Sequence, residues 1–430
     1  MSASPSWLNL DHVWLPYAQM AGAPLPLPVA STSGARLKLA DGRELIDGIS
    51  SWWTACHGHA HPHIVEALQR QAATLSHVMF AGLAHEPAYT LAARLAKALP
   101  GDLGRVFFSE SGSVSVEIAL KMALQYWRNR GRADKRRIVA FRDGYHGDTF
   151  MTMAVTDPDV GMHAAFAGIV PPATFADLPR DGANAMAFEH LLERDAETLA
   201  AVIVEPLVQG AGGFRMHDAA TLARIRAACD RHDVLLIADE IMTGFGRTGS
   251  LFACEQAQVV PDIVCLSKAL TGGTLPLAAT VAREHIFAAF LGDEFERALM
   301  HGPTYMANAL ACAAANASLD LFEREPRLDQ VAAIAAQLQR ELAPCRTLPG
   351  VVDVRVKGAL GVVELDAPSA GLRPAFIERG LWLRPFGNVV YVMPPFVIDA
   401  GDLARLTAGV CEVVEEWSRM RPAGSTRDVV

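Results

Sequence analysis

Two side chains in this sequence, Lys268 and Asp239, have the types and setting to do chemistry together. Lys268 follows the apolar run Ile263-Val-Cys-Leu266 and Ser267, and precedes Ala-Leu-Thr-Gly-Gly273. Asp239, with Glu240, ends a second apolar run, Val234 to Ala238. Short β-branched-rich runs bounded by punctuating residues read as buried parallel strands. Ligands of open α/β sheets lie off the carboxyl ends of the strands, so the amine and the carboxylate are expected on one rim. An amine in an apolar setting loses its proton readily and attacks a carbonyl to form a Schiff base. A nearby carboxylate holds a pyridinium nitrogen protonated, which is a protein's share of pyridoxal 5'-phosphate (PLP) chemistry.

A third segment supplies a place for the phosphate. The run Arg105-Val-Phe-Phe108 passes through Ser109-Glu-Ser-Gly-Ser113 into a helical pattern. Gly112 lets the backbone approach closely, and a helix N-terminus offers free N–H groups and the positive end of a dipole. By themselves Ser111 or Ser113 would read as helix caps. Beside Lys268 and Asp239 they read as a phosphate cradle.

These residues need a large α/β scaffold. From about Pro62 to residue 320, short apolar runs alternate with helical stretches. The clearest strands are Val106 to Phe108, Ile138 to Phe141, Val202 to Val204, Val234 to Ala238 and Ile263 to Leu266; the helices include Ser113 to Arg128 and Ala219 to Arg231. That alternation predicts a mostly parallel sheet with helices on both faces. The first 35 residues are punctuated by Pro, Gly and Ser and are expected to form an extended arm. Arg36 to Asp47 reads as a hairpin about Asp41-Gly42. After helices Asn308 to Phe322 and Leu328 to Leu342, strands Val351 to Val356, Val362 to Leu365 and Val389 to Met393 indicate a smaller α+β domain. The expected division is an arm and hairpin over 1–60, a large domain over 61–320 and a small domain over 321–430, with the tail Arg421 to Val430 frayed.

The chain has 430 residues, 51% of them hydrophobic and 20% charged, as in a globular enzyme. Its net charge of −9 argues against nucleic acid and anionic membranes as partners. There is no membrane-span-length apolar run and no signal-like start. Seven scattered cysteines without a C-x-x-C pair read as reduced thiols of a cytoplasmic protein.

Several further segments carry a family resemblance: Trp14-Leu-Pro-Tyr17, Trp52-Trp53-Thr-Ala-Cys-His57, Asp143-Gly-Tyr145-His-Gly-Asp148, Glu205-Pro206, Asp239 through Gly249, Ser267-Lys268, His301-Gly-Pro-Thr304 and Arg384 through Tyr391. With Ser111-Gly-Ser113, they resemble the class III aminotransferases, of the PLP-dependent fold type I. The double tryptophan, the aromatic arm and the Arg384–Tyr391 segment resemble the branch acting on S-adenosyl-L-methionine and 8-amino-7-oxononanoate in biotin biosynthesis. The resemblance implies that Lys268 holds the PLP and shuttles a proton, that Asp239 pairs with the ring nitrogen and that Tyr145 stacks on the ring. It implies phosphate binding by Gly112 and Ser113, helped by Pro303 and Thr304 of a second subunit in a homodimer. It also implies a substrate pocket shaped by Tyr17, Trp52, Trp53, Tyr145, Asp148, Gly302, Arg384 and Tyr391. An apolar keto acid with a terminal carboxylate suits an aromatic channel ending in one arginine, and the aromatic cluster suits a sulfonium and an adenine. Both substrates would use one site in turn. Met242, Ser267, Glu110, Ala307 and Ala309 depart from the family pattern without removing a reactive group.

Other readings remain open at this point. Lysine is the alternative amino donor. Another ω-amino acid aminotransferase, a PLP aminomutase and a non-catalytic PLP-binding protein share parts of the pattern. Gly244-Phe-Gly-Arg-Thr-Gly249 spells a dinucleotide fingerprint but lacks the strand-to-helix context. His57, His59, His61 and His63 alternate without a metal-ligand partner set, so no metal site is expected. His12, His146 and His301 read as structural imidazoles, and Glu205 as a strand-end acid without a catalytic role.

Overall fold

The computed structural model describes residues 5–160, 163–166 and 168–421; apart from Arg421, the tail expected to fray lies outside them. Seven strands form the central sheet: β1 (Leu103–Ser109), β2 (Arg137–Phe141), β3 (Thr174–Ala176), β4 (Leu199–Val204), β5 (Leu235–Asp239), β6 (Ile263–Leu266) and β7 (Ala278–Arg283). Their spatial order is β1-β7-β6-β5-β4-β2-β3. Only β7 runs against its neighbours, pairing antiparallel with β6 and β1; the remaining pairs are parallel. β4, β5 and β6 are buried along their whole length, which is why they read as continuous apolar runs. Truncating a side chain such as Leu236 or Val202 there would cost about 2–5 kcal/mol.

Two strands had no sequence signal. β7 is Ala-Ala-Thr-Val-Ala-Arg, a composition with weak strand preference. Ladders on both sides impose its conformation. β3 is a three-residue edge strand, too short to show alternation.

Only the end of the expected arm departs from the expectation, since residues 5–28 form no helix or strand. Val29–Ser33 is a strand, paired antiparallel with Arg36–Leu39 across a turn in which Gly34 takes φ of 55°. Arg36–Leu39 then pairs with Glu44–Asp47 about Asp41-Gly42, as the hairpin pattern predicts. Leu381–Trp382, from the other end of the chain, adds parallel to Glu44–Asp47. A three-stranded sheet is antiparallel, Val351–Val356, Gly361–Leu365 and Val389–Val392 in that order, with helices Arg327–Leu342 and Ala400–Arg419 packed together beside it. The segments carrying Trp52 and Arg384 are thereby tied together before either meets the large sheet.

Candidate active site

The ends of β4 and β5, the chain just past β6 and the start of helix Gly112–Asn129 enclose a cavity of about 170 Å³. Ser111 caps that helix, its Oγ accepting from Val114 N–H at 3.4 Å, so the capping reading holds for Ser111. Ser113 Oγ instead accepts from Asp148 N–H at 3.2 Å. A Cβ at Gly112 would meet Ile241 at 3.0 Å, and one at Gly147, with φ of 128°, would overlap Ser113 Oγ at 2.2 Å. Both glycines let neighbouring side chains pack closely at the cavity wall, where the N-terminus of the helix offers N–H groups that fit a phosphate.

Asp239 ends β5 and faces this cavity, buried. Its Oδ2 lies 2.7 Å from His146 Nδ1, and its Oδ1 accepts from Ile241 N–H at 3.1 Å. Glu240, the next residue, points the other way: its carboxylate accepts from Ala253 and Cys254 N–H groups and from Thr243 Oγ1. One acid therefore serves the cavity and its neighbour ties down a loop. Sequence reasoning treated His146 as structural; its position within a Tyr-His pair beside the cavity was the available signal.

Lys268 stands just past β6, with φ of 47°, and its Nζ lies 4.5 Å from the centroid of the Trp53 ring. Burial pushes its amine down to about 8, opposed by the charges of Asp239 and Glu205. Glu205 is buried at the end of β4 and is pushed up to about 7 by that burial. Its two oxygens accept from Tyr145 N–H at 3.0 Å and Gly210 N–H at 2.8 Å, so it anchors the Tyr145 backbone.

A second cavity, of about 530 Å³, opens from the first and shares Trp53, Tyr145 and Lys268 with it. Tyr17, Trp52, Arg384, Phe386 and Asn388 line its far parts. The Arg384 guanidinium lies 4.4 Å from the Trp52 ring centroid and 5.7 Å from that of Tyr17. Among the described residues it makes no ion pair with any carboxylate. A planar guanidinium held by aromatic faces keeps its fork of N–H donors available, a geometry that matches a carboxylate.

Asp148 gathers the rim. It accepts from Tyr17 Oη, from Tyr145 Oη at 3.0 Å and from His163 Nε2 at 3.0 Å. Burial opposes its charge, but these hydrogen bonds hold its carboxyl below the usual range. Burial and the neighbouring Tyr17 and Asp148 raise the Tyr145 phenol far above its ordinary value. Tyr391 departs from the expectation that it lines the pocket. It is 1% exposed and sits behind Trp53, its Oη accepting from Trp53 Nε1 at 3.2 Å. It supports the wall, because the adjacent strand turns it inward.

Gly302, Pro303 and Thr304 line neither cavity of this chain. The remaining candidates settle elsewhere. Gly244 to Gly249 is a run of turns rather than a strand-to-helix junction; its Arg247 is buried and donates to the carbonyls of Pro394 and Ala359 at 2.9 and 3.2 Å. The four alternating histidines meet four different partners: Arg327, Asp47, Glu325 and Asp320.

This geometry agrees with comparisons to known proteins. The family model for aminotransferase class-III matches residues 17–414. The chain belongs to that family. Among curated class III relatives, the adenosylmethionine-8-amino-7-oxononanoate aminotransferase of Mycobacterium leprae is 49% identical, over 94% of this chain and 95% of its own. The crystal structure of the Methanocaldococcus jannaschii protein of that name superposes with a TM-score of 0.90 at 33% identity, covering 94% of this chain and 97% of that one. A PLP-bound amine transaminase from an uncultivated Pseudomonas species superposes at 0.88 with 32% identity, covering 95% and 99%.

Proposed function

We propose that this aminotransferase moves the amino group of S-adenosyl-L-methionine to 8-amino-7-oxononanoate, giving 7,8-diaminononanoate for biotin synthesis. One observation carries the reading: the small cavity holding Asp239 and the larger one ending at Arg384, which has no carboxylate partner among the described residues, meet at Lys268. The names of the curated relatives support it.

The residues of the smaller cavity fit PLP. Lys268 would hold it, Asp239 would face its ring nitrogen, Tyr145 would cover the ring, and Gly112 with Ser113 would take the phosphate. When bound, PLP supplies an electron sink for the bonds at the substrate's amine-bearing carbon. Lys268 Nζ, poised near 8, takes the proton from that carbon and returns it on the other side of the exchange. His146 fixes Asp239 so that its carboxylate keeps one orientation. Arg384 binds the keto acid's carboxylate, while Trp52, Trp53 and Tyr17 exclude water from its apolar chain. With both substrates visiting one site, each half of the reaction restores what the other consumed.

The same reading includes a homodimer in which Gly302, Pro303 and Thr304 complete the partner's site. Met300 and Tyr305 flank that segment with exposed apolar surface, and Trp14 is 85% exposed. Two further proposals follow the sequence: a division at 60 and 320, and a cytoplasmic location, supported by seven cysteines outside any disulfide. No helix among the described residues is long and apolar enough to cross a membrane.

An amino-donor and acceptor screen on the PLP-loaded protein tests the assignment. Turnover of the oxononanoate with S-adenosyl-L-methionine is expected. Turnover with lysine in its place would reassign the donor. Rapid use of 2-oxoglutarate without the oxononanoate would overturn the proposal.

A further inference from the structure

The backbone of Ser50, Ser51, Trp52 and Trp53 is left-handed at all four positions, with φ of 48°, 44°, 72° and 74°. Each such residue costs roughly 1–2 kcal/mol, and a run of four persists only where its surroundings impose it. The turn directs its two rings to opposite ends of the larger cavity. Trp53 lies 4.5 Å from Lys268 Nζ, and Trp52 lies 4.4 Å from the Arg384 guanidinium.

A buried acid outside both cavities holds the turn. Asp47 is 0% exposed. Its Oδ1 accepts from Ile49 N–H at 3.2 Å, just before the turn. Its Oδ2 accepts from Ser51 Oγ at 3.0 Å and from His59 Nε2 at 2.7 Å. His59 is itself fixed by two backbone hydrogen bonds to Gly34, at 2.8 and 3.1 Å. Ser50 Oγ closes the other side by donating to Met393 C=O at 2.7 Å. Two donors converge on one carboxylate oxygen, an arrangement an alanine cannot reproduce.

We propose that Asp47 is a positioning residue for amino transfer: by locking the left-handed turn, it sets the aromatic walls at both the amine end and the carboxylate end of the cavity. The proposal rests on the roles given above to Lys268 and Arg384. It predicts that Asp47 acts on the keto acid through the Trp52–Arg384 contact, although it touches no substrate.

A double-mutant cycle on the holoenzyme tests this. Asp47→Ala should raise KM for the oxononanoate about tenfold, whereas in an Arg384→Ala background the same change should add less than about twofold, because coupled residues are non-additive. An equal penalty in both backgrounds, or none in either, overturns the proposal. If Arg384→Ala alone leaves that KM unchanged, the assigned role of Arg384 fails instead. In that case, or if Asp47→Ala does not fold, Ser51→Gly and Ser51→Val decide. Both remove the hydroxyl, but only valine resists the left-handed backbone. The pH midpoint of the lysine-bound cofactor's absorbance band should move further in Ser51→Val than in Ser51→Gly, reflecting a displaced Trp53. Equal shifts, or none, would overturn the role of the turn.

Discussion

The two cavities that meet at Lys268 are built on different principles. The smaller takes Asp239, Glu205 and Lys268 from the ends of adjacent strands of one buried sheet, together with the first turn of one helix. Those positions follow from strand order alone, and any sequence that forms this sheet brings them together. The larger takes Tyr17, Trp52 and Arg384 from opposite ends of the chain, joined by the pairing of Glu44–Asp47 with Leu381–Trp382 and by a left-handed turn. On the function proposed above, reaction chemistry is assigned to the rigid core, and substrate choice to segments whose placement depends on long-range contacts. Changes in the first region should abolish turnover, and changes in the second should redirect it.

Four perturbations break or sharpen that contrast. The largest effect is expected for Lys268→Ala, which should eliminate transamination and the covalent cofactor band while leaving far-UV circular dichroism intact; residual steady turnover would refute its role. Next is Glu205 in the cofactor-free protein. Its folded carboxyl is raised to about 7 from an ordinary 4.5. Between those values the folded state keeps a proton that the unfolded chain has released. Stability should therefore fall by up to about 3 kcal/mol as the pH rises through that window. Glu205→Gln should flatten the dependence in denaturant titrations, and an unchanged slope would remove Glu205 as its source.

In the other cavity, Arg384→Ala should raise KM for the keto acid with a loss of about 2 kcal/mol, because the substrate carboxylate is left unpaired. The donor half-reaction should change less, and equal damage to both halves would mean that the two cavities do not divide the work. The smallest effect is expected beside the expected dimer segment. Ala307 is buried with φ of 51°, a conformation that suits glycine. Ala307→Gly should relieve that strain but loosen the unfolded chain, for a net change within about 1 kcal/mol of zero in thermal unfolding. A larger loss would mean that the Ala307 methyl fills a packing gap.

The core strands and the rim they share were legible because burial on both faces leaves an unbroken apolar signature ending in polar residues. β7 was not, because an alanine-rich strand between two partners needs no intrinsic preference of its own. Val29–Ser33 hid among prolines for the complementary reason: its pairing partner, not its composition, makes it a strand. At the site, Asp239 and Lys268 were readable from the strand ends they close. Tyr391 was misplaced because a residue's strand is visible in sequence while the face it presents to a cavity is not. His146 was read as a structural imidazole and Asp47 only as the end of a hairpin, since only their partners give them a task.

By itself the sequence determined the core strands and the pairing of an amine with a carboxylate on one edge, because both follow from local burial patterns and strand punctuation, while the family was legible through the resemblance of its motifs. The tertiary structure alone decided that Arg384, among the described residues, stands without an acid between two aromatic rings, that Tyr391 backs the wall instead of lining it, and that Asp47 holds a left-handed turn. The first two outcomes depend on contacts between segments hundreds of residues apart, and the third on a backbone conformation that brings three nearby donors onto one buried carboxylate; no local apolar pattern encodes either geometry.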